Sequence, residues 1–392
     1  MNEIICPIEH LKAEEFLEEY WQKKPLVIRQ AFPGFKSPLS PEELAGLACE
    51  EDVNSRIVIE KGGEHPWQPI YGPMDDEVFA SLPETHWTLL VNDVEKHLPE
   101  LAWIVDRFRF IPEWRIDDLM ISYAPLGGSV GPHMDLYDVF ILQGDGHRRW
   151  QLNSQPVAQD NQVADTPLRI QKDFIPEYEW LLEPGDIIYI PPGVSHYGVA
   201  TDDCMSYSIG FQAASFNHLI SDYIAYLTDK LDASQVYRDS DLKTQRYSNE
   251  ITEDAITRVE EIFQQYIKPD RAEIRRWFGR YVSDTRTDIR TDPEQKVSNF
   301  DELLSLVRKD GLVFFRNPAS RFAFITENDH ALLYIDGEEE KAGIKFAHLL
   351  CHNRKLDIEK LSDPNFLPDR KILVSLYNRG KIILTHDHTE SF

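Results

Sequence analysis

Cysteine is scarce in this chain of 392 residues. Cys6, Cys49, Cys204 and Cys351 lie far apart, with no C-x-x-C pair. That argues against a disulfide framework and a cysteine-rich zinc module, and it fits a reducing cytoplasm. No apolar run approaches the ~20 residues of a membrane helix, so no spanning segment is expected. The N-terminus has no basic leader followed by an apolar stretch and a small-residue cleavage site, so no secretory signal is expected. Repeats and low-complexity tracts are also missing. Positive charge is in short supply: 67 acidic residues stand against 41 basic ones, a net −26. Residues 1–212 carry 36 acidic and 15 basic side chains, whereas residues 213–392 carry 31 and 26. An N-terminal half of that sign repels nucleic-acid phosphate and attracts cationic partners. What the chain does have is 42% hydrophobic and 11% aromatic residues, enough for sizeable cores and too much for wholesale disorder.

The length calls for two or three units. Ser40-Pro41-Glu42-Glu43 reads as a helix start, with Ser as N-cap, Pro in the first turn and acids near the positive end. Residues 115–212 read as all-β. Val139-Phe140-Ile141-Leu142 and Ile187-Ile188-Tyr189-Ile190 are apolar runs, punctuated by Gly127-Gly128, Asp145-Gly146 and Pro184-Gly185. Many short strands with such turns suggest a sandwich or barrel, a class that includes small jelly rolls. From about residue 213, Leu219, Ile220, Tyr223, Ile224, Tyr226 and Leu227 follow helical spacing, as do Ile256, Val259, Ile262, Phe263 and Tyr266. The polar stretch 284–298 marks a second boundary. A helix over 300–307 then precedes short strands (312–315, 323–325, 332–335), two helical stretches and a last strand at 381–384, which together suggest a winged-helix-like module. The expected division is 1–212, 213–290 and 291–392.

The sharpest chemical signal is Gly131-Pro132-His133-Met134-Asp135. Side chains at i and i+2 of a strand share a face, so His133 and Asp135 project together while Met134 points away. His196 follows a buried strand over 186–190 and the rigid turn Pro191-Pro192-Gly193. Sixty residues separate Asp135 from His196, enough for several strands to bring it back beside the pair. Two histidines and one carboxylate on one face of a metal leave three positions open, the facial triad of non-haem Fe(II) oxygenases. After the Asp145-Gly146 turn, alternation sends Arg148 and Arg149 to opposite faces. One of them enters the barrel, where a buried guanidinium needs a carboxylate partner such as the far end of 2-oxoglutarate. Ser122, on the strand before the glycine turn, is a candidate hydroxyl donor to the same group.

These strings carry a family resemblance. W-R-I-D-D-L-M-I-S from Trp114, G-P-H-M-D-L-Y-D-V-F-I-L-Q-G from Gly131, R-R-W from Arg148 and E-P-G-D-I-I-Y-I-P-P-G-x-x-H ending at His196 resemble the JmjC group of cupin-fold oxygenases. Within that group the chain is most similar to the bacterial ribosomal oxygenases that hydroxylate an arginine of large-subunit ribosomal protein sixteen. The resemblance implies a mainly β catalytic domain of the cupin (double-stranded β-helix, jelly-roll) type, a helical dimerisation segment and a C-terminal α+β winged-helix-like domain. It implies Fe(II) on His133, Asp135 and His196, 2-oxoglutarate paired to Arg148 with help from Ser122, and O2 as oxidant. It assigns Asp118 and Tyr137 to the substrate arginine, one by charge and one by packing, with Met120, Ser208 and Ile209 lining the pocket. Hydroxylation at the β-carbon, a homodimer, a basic ribosomal protein as partner and no direct nucleic-acid contact follow from it. One departure is Ser206, where relatives are expected to carry Asn nearby.

Other features are read more plainly. His348 and His352 are spaced i, i+4, but the Glu of H-E-x-x-H is missing, so they read as a helix face. His386-Asp387-His388 reads as an exposed tail. Gly127-Gly128-x-x-Gly131 reads as a turn, because no βαβ context surrounds it. The nearly balanced charge of the C-terminal part argues against DNA binding. The rival readings are a hydroxylase of histidine in another basic ribosomal protein and a metal-binding cupin scaffold without hydroxylase activity.

Overall fold

The structure is a computed structural model that describes residues 12–60, 67–158, 160–285, 289, 291–310 and 312–385. Among them the chain forms two compact units. One takes in the described residues of 1–213, 285–320 and 348–392, the other those of 214–284 and 321–347. No helix among the described residues is long and apolar enough to cross a membrane.

The first unit is built on β1 (Leu26–Ile28), β2 (Ser55–Ile59), β3 (Pro69–Tyr71), β4 (Trp87–Val91), β5 (Ile116–Ala124), β6 (His133–Met134), β7 (Val139–Asp145), β8 (Arg148–Asn153), β9 (Tyr178–Leu182), β10 (Ile187–Ile190), β11 (Ser195–Ala200) and β12 (Cys204–Phe211). They make an eight-stranded sheet, ordered β1-β10-β7-β12-β5-β4-β2-β3, and a four-stranded sheet, ordered β6-β11-β8-β9. The paired strands run antiparallel, including those that neighbour each other only across long stretches of sequence, which is the jelly-roll architecture of a JmjC cupin domain.

The unbroken apolar runs now have a reason. Phe140 and Leu142 of β7 enter a core shared with Leu119, Ile121, Tyr207 and Ile209, with Phe16 and Leu44 from helices and with Phe108 from a turn. Val139 and Ile141, alternate residues of the same strand, enter a second core with Trp150, Leu152, Ile188 and Val194. A strand buried on both faces reads as a continuous hydrophobic stretch rather than an alternation. The Ser40 helix start is a full capping box: Ser40 Oγ accepts from the Glu43 N–H while the Glu43 carboxylate accepts from the Ser40 N–H.

The C-terminal part of this unit holds a three-stranded sheet of Val313–Arg316, Lys355–Leu356 and Ile382–Thr385, with the helices Phe300–Asp310 and Arg370–Asn378. Ionic contacts tie it to the segment that leads into β5. The buried Arg316 guanidinium donates to both oxygens of Glu113, and Arg354 makes a bidentate pair with Asp106. Burial alone would raise the Glu113 carboxyl, but Arg316, Arg109 and Arg354 outweigh it and hold the group down at about 2.

The second unit contains the helices Phe216–Thr228, Glu253–Tyr266 and Arg271–Ser283, capped by Ser215, Thr252 and Asp270, and a meander of Phe322–Thr326, Ala331–Ile335 and Glu338–Ala342. The first two helices keep Phe216, Ile220, Ile256, Ile262 and Phe263 exposed. Glu338–Ala342 was not anticipated as a strand, and it pairs along its whole length with the buried Ala331–Ile335. His348 and His352 lie exposed on the helix Ile344–His352. The sequence His386-Asp387-His388 lies outside the described residues.

Candidate metal centre

A cavity of about 310 Å³ opens into the jelly roll. Among the described residues, the only cluster able to hold a metal ion is His133, Asp135 and His196, each offering a ligand atom within 4.8 Å of the others. β6 and β11 pair His133 directly with His196, and the two imidazole centroids are 4.2 Å apart. Asp135 Oδ2 lies 3.8 Å from His133 Nε2 and 3.7 Å from His196 Nε2.

The proton positions follow from the outer contacts. His133 Nδ1 donates to the Gly131 carbonyl at 2.9 Å, and His196 Nδ1 donates to the Val194 carbonyl at 3.0 Å. A carbonyl can only accept, so each Nδ1 carries a hydrogen and each ring turns its Nε2 towards the Asp135 carboxylate. Burial, reinforced by His133 and opposed by Asp135, pushes His196 down to about 4, so it is neutral at pH 7. Two imidazole Nε2 atoms and a carboxylate oxygen thus converge on one point. One divalent cation can take all three as ligands, and the N2O donor set suits Fe(II). The fit rests on this donor arrangement.

Arg148 and Arg149 diverge as alternation requires. Arg149 is exposed near Glu179. Arg148 is buried, lines the cavity, and leaves Nε and Nη2 without a hydrogen-bond partner among the described residues. A buried cation with unused donors is a ready seat for a carboxylate. Ser122, buried on β5, lines the same cavity. Ser206, opposite it on β12, donates its hydroxyl to the Gln143 side chain at 3.1 Å.

In the same cavity Asp118 Oδ2 accepts from Asn92 Nδ2 at 3.2 Å and from the Asp93 N–H at 3.4 Å. Burial first, then Asp93 and Asp117, push its carboxyl up to about 6 against the pull of Lys96 and Asn92. Next to it the Leu119 N–H donates to the buried carboxylate of Glu95 at 2.9 Å, which fixes this stretch of β5. Tyr137, Met120 and Ser208 also line the cavity. Burial and the adjoining Asp135 carboxylate keep the Tyr137 hydroxyl protonated.

One residue of the anticipated pocket is placed elsewhere. Ile209 is fully buried in the core on the far face of β12 and does not line the cavity. Its strand neighbour Ser208 faces inward, and alternation turns Ile209 outward. Other residues went unnoticed in the sequence. Trp150 lines the cavity two positions after Arg148, where the same alternation would have found it. Arg56, on β2, lines it with a buried, unpartnered Nε, and no motif marks it. Glu60 accepts from Ser129 Oγ at 2.7 Å and from the Tyr197 hydroxyl at 3.2 Å, bracing the loop before His133.

Comparison with known proteins bears on the fold and the family. The JmjC domain family matches residues 103–219, and the ROXA-like winged helix matches residues 262–380. The chain is 36% identical over 373 residues to the ribosomal protein uL16 3-hydroxylase of Escherichia coli K12, covering 93% of this chain and 96% of that one. Ribosomal oxygenase 2 of Rattus norvegicus is 28% identical over 240 residues, covering 55% of this chain and 48% of that protein. The structure of the E. coli ribosomal oxygenase YcfD in complex with cobalt and 2-oxoglutarate superposes with a TM-score of 0.78 at 34% identity, covering 96% of this chain and 98% of that one. A catalytic jelly roll, a helical segment and a winged-helix domain, aligned over nearly the whole length with such a relative, settle the affiliation: the chain belongs to the JmjC-domain ribosomal oxygenase family.

Proposed function

We propose that this protein is an Fe(II)- and 2-oxoglutarate-dependent dioxygenase that hydroxylates the β-carbon of an arginine in large-subunit ribosomal protein uL16. The observation that carries the reading is the shared cavity. The inward-facing Nε2 atoms of His133 and His196 and the Asp135 carboxylate, the unpaired guanidinium of Arg148 and the carboxylate of Asp118 all line it.

In this reading His133, Asp135 and His196 hold the iron, which supplies the oxidising chemistry that couples O2 and 2-oxoglutarate to insertion of oxygen into a C–H bond. Arg148 binds the distal carboxylate of the co-substrate through its two free donors, and Ser122 adds a hydroxyl. Asp118 pairs with the substrate guanidinium, and Tyr137 packs on the aliphatic stem. Met120 and Ser208 bound the slot, so the guanidinium is held at one end while the carbon nearer the backbone is presented to the metal. The apolar wall of Val139, Ile141 and Trp150 excludes water from the reacting end.

The acidic excess of residues 1–212 suits a basic ribosomal protein and disfavours direct contact with nucleic acid. The functional division is catalytic (1–212), helical (213–290) and winged-helix-like (291–392). The exposed apolar side chains on the helices Phe216–Thr228 and Glu253–Tyr266 support a homodimer formed through the helical segment. The action is placed in the cytoplasm, where the ribosomal substrate is made.

The test is mass spectrometry of ribosomal proteins from cells with and without the protein. A gain of about 16 Da, one oxygen atom as the iron chemistry requires, is expected on an arginine-containing uL16 peptide only when the protein is present, and His133→Ala removes it. The same shift on a histidine peptide of another ribosomal protein would overturn the arginine assignment. Normal turnover by His133→Ala would overturn the triad.

A further inference from the structure

The strand that carries the first iron ligand is too short to hold itself in place. β6 is His133–Met134, and its ladder to β11 consists of the pairs Ser195↔Met134 and His196↔His133. On its C-terminal side the Gly193 N–H donates to the Asp135 carbonyl at 2.8 Å. On its N-terminal side another element closes the gap. The segment between β8 and β9 folds back, and among its described residues (154–158 and 160–177) Ile170 and Gln171 are the buried ones. The Gln171 N–H donates to the Pro132 carbonyl at 2.8 Å, and Gln171 Nε2 donates to Ser195 Oγ at 2.7 Å. Pro132 directly precedes His133, and Ser195 directly precedes His196. One buried residue therefore spans the two histidine-bearing strands at the residues next to the ligands, with its backbone N–H on one and its side chain on the other. Ile170 packs against Gly131, whose φ of +79° and lack of space for a Cβ (2.9 Å from Ile170 Cγ2) admit only glycine at this turn.

We propose that Gln171 is a positioning residue for the metal centre: through Pro132 and Ser195 it fixes the spacing of His133 and His196 to which iron affinity is tuned. This rests on the triad reading given above. Partners one bond removed from metal ligands commonly change affinity by about 10–100-fold when lost, because the ligands must then be ordered at the expense of binding. Gln171 donates to the neighbours of the ligands rather than to the rings, so the lower end applies, on the order of tenfold.

The experiment measures Co(II) affinity of the full-length apoprotein by calorimetry for wild type, Gln171→Ala, Ser195→Ala, the double variant and His133→Ala, with circular dichroism and thermal unfolding alongside. Gln171→Ala keeps the backbone bond to Pro132 and loses only the side-chain bridge. Both single variants are expected to weaken Co(II) binding about tenfold while remaining folded at the assay temperature. The double variant is expected to lose no more than either single one, because both remove the same bond. Affinity of Gln171→Ala within twofold of wild type, or losses that add in the double variant, would overturn the positioning role while His133→Ala still fails to bind. Equal binding by wild type and His133→Ala would instead overturn the triad, and this proposal with it.

Discussion

Replacing Arg148 by methionine separates binding from stability. Methionine keeps an unbranched stem but has no donors, and it would sit against Trp150, Val139 and Ile141. Arg148 Nε and Nη2 are buried and have no protein hydrogen-bond partner among the described residues, so losing them breaks no bond within the protein. In the proposed reading the same atoms would make charge-assisted hydrogen bonds to the co-substrate carboxylate, worth about 1.5–3 kcal/mol each. Losing both removes at least about 3 kcal/mol, roughly a hundredfold in Kd. Arg148→Met is therefore expected to weaken 2-oxoglutarate binding at least about a hundredfold. The ligand-free Tm should stay unchanged or rise by a few degrees, since about 1 kcal/mol shifts a domain of this size by roughly 2–4 °C. Calorimetry with the Mn(II)-loaded protein measures the first quantity and scanning calorimetry of the apoprotein the second. Affinity within about threefold of wild type, against the tenfold expected from even one lost charged bond, would refute the pairing. A clear fall in the ligand-free Tm would refute the claim that the guanidinium is held unpaired.

Further outcomes follow from the charges. Asp118 titrates near 6 because burial, Asp93 and Asp117 favour its neutral form, and pairing with a guanidinium needs the anion. As pH falls below about 6, kcat/KM on a uL16 peptide should drop about tenfold per unit, whereas Asp118→Asn should show a low, flat profile over the same range. The raised carboxyl also makes wild type less stable as pH rises through 6, so Asp118→Asn should gain stability at pH above about 7 and lose that advantage near pH 4. Glu113 behaves oppositely. Its folded value near 2 lies below the ordinary 4.5, so its contribution is present above 4.5 and is lost as pH falls towards 2. Glu113→Gln should cost about 3 kcal/mol in urea unfolding at neutral pH, because Arg316 is left buried without its carboxylate, and the gap should close on acidification. Phe263→Asp together with Ile256→Asp should convert a dimer into a 45.5-kDa monomer by light scattering while leaving Co(II) affinity intact. A dimer that survives both changes would exclude this face.

How much of the site could be read in the sequence depends on whether each residue's role is local. His133 and Asp135 are legible because a two-residue step on a strand is a local geometric fact, and His196 because a turn, buried strand and rigid proline turn place it without knowledge of its neighbours. Alternation said that Arg148 and Arg149 part company, but which of them enters is decided by how β8 is seated between β9 and β11, and the resemblance supplied that choice. Ile209 shows the cost of setting alternation aside: the resemblance assigns it to the pocket together with Ser208, although adjacent residues of a strand point to opposite faces. Glu338–Ala342 was missed because three glutamates and a lysine have poor strand propensity. What makes it a strand is the partner beside it, Ala331–Ile335, and its charges suit an exposed edge. Gln171, Glu60 and Arg56 could not be found locally. Gln171 lies in a segment without periodicity, 24 residues from the serine it binds, and Glu60 is 69 and 137 residues from its two partners. Their roles exist only after the two sheets have closed, so the ligands of a metal centre are legible in sequence well before the contacts that hold them at the right spacing.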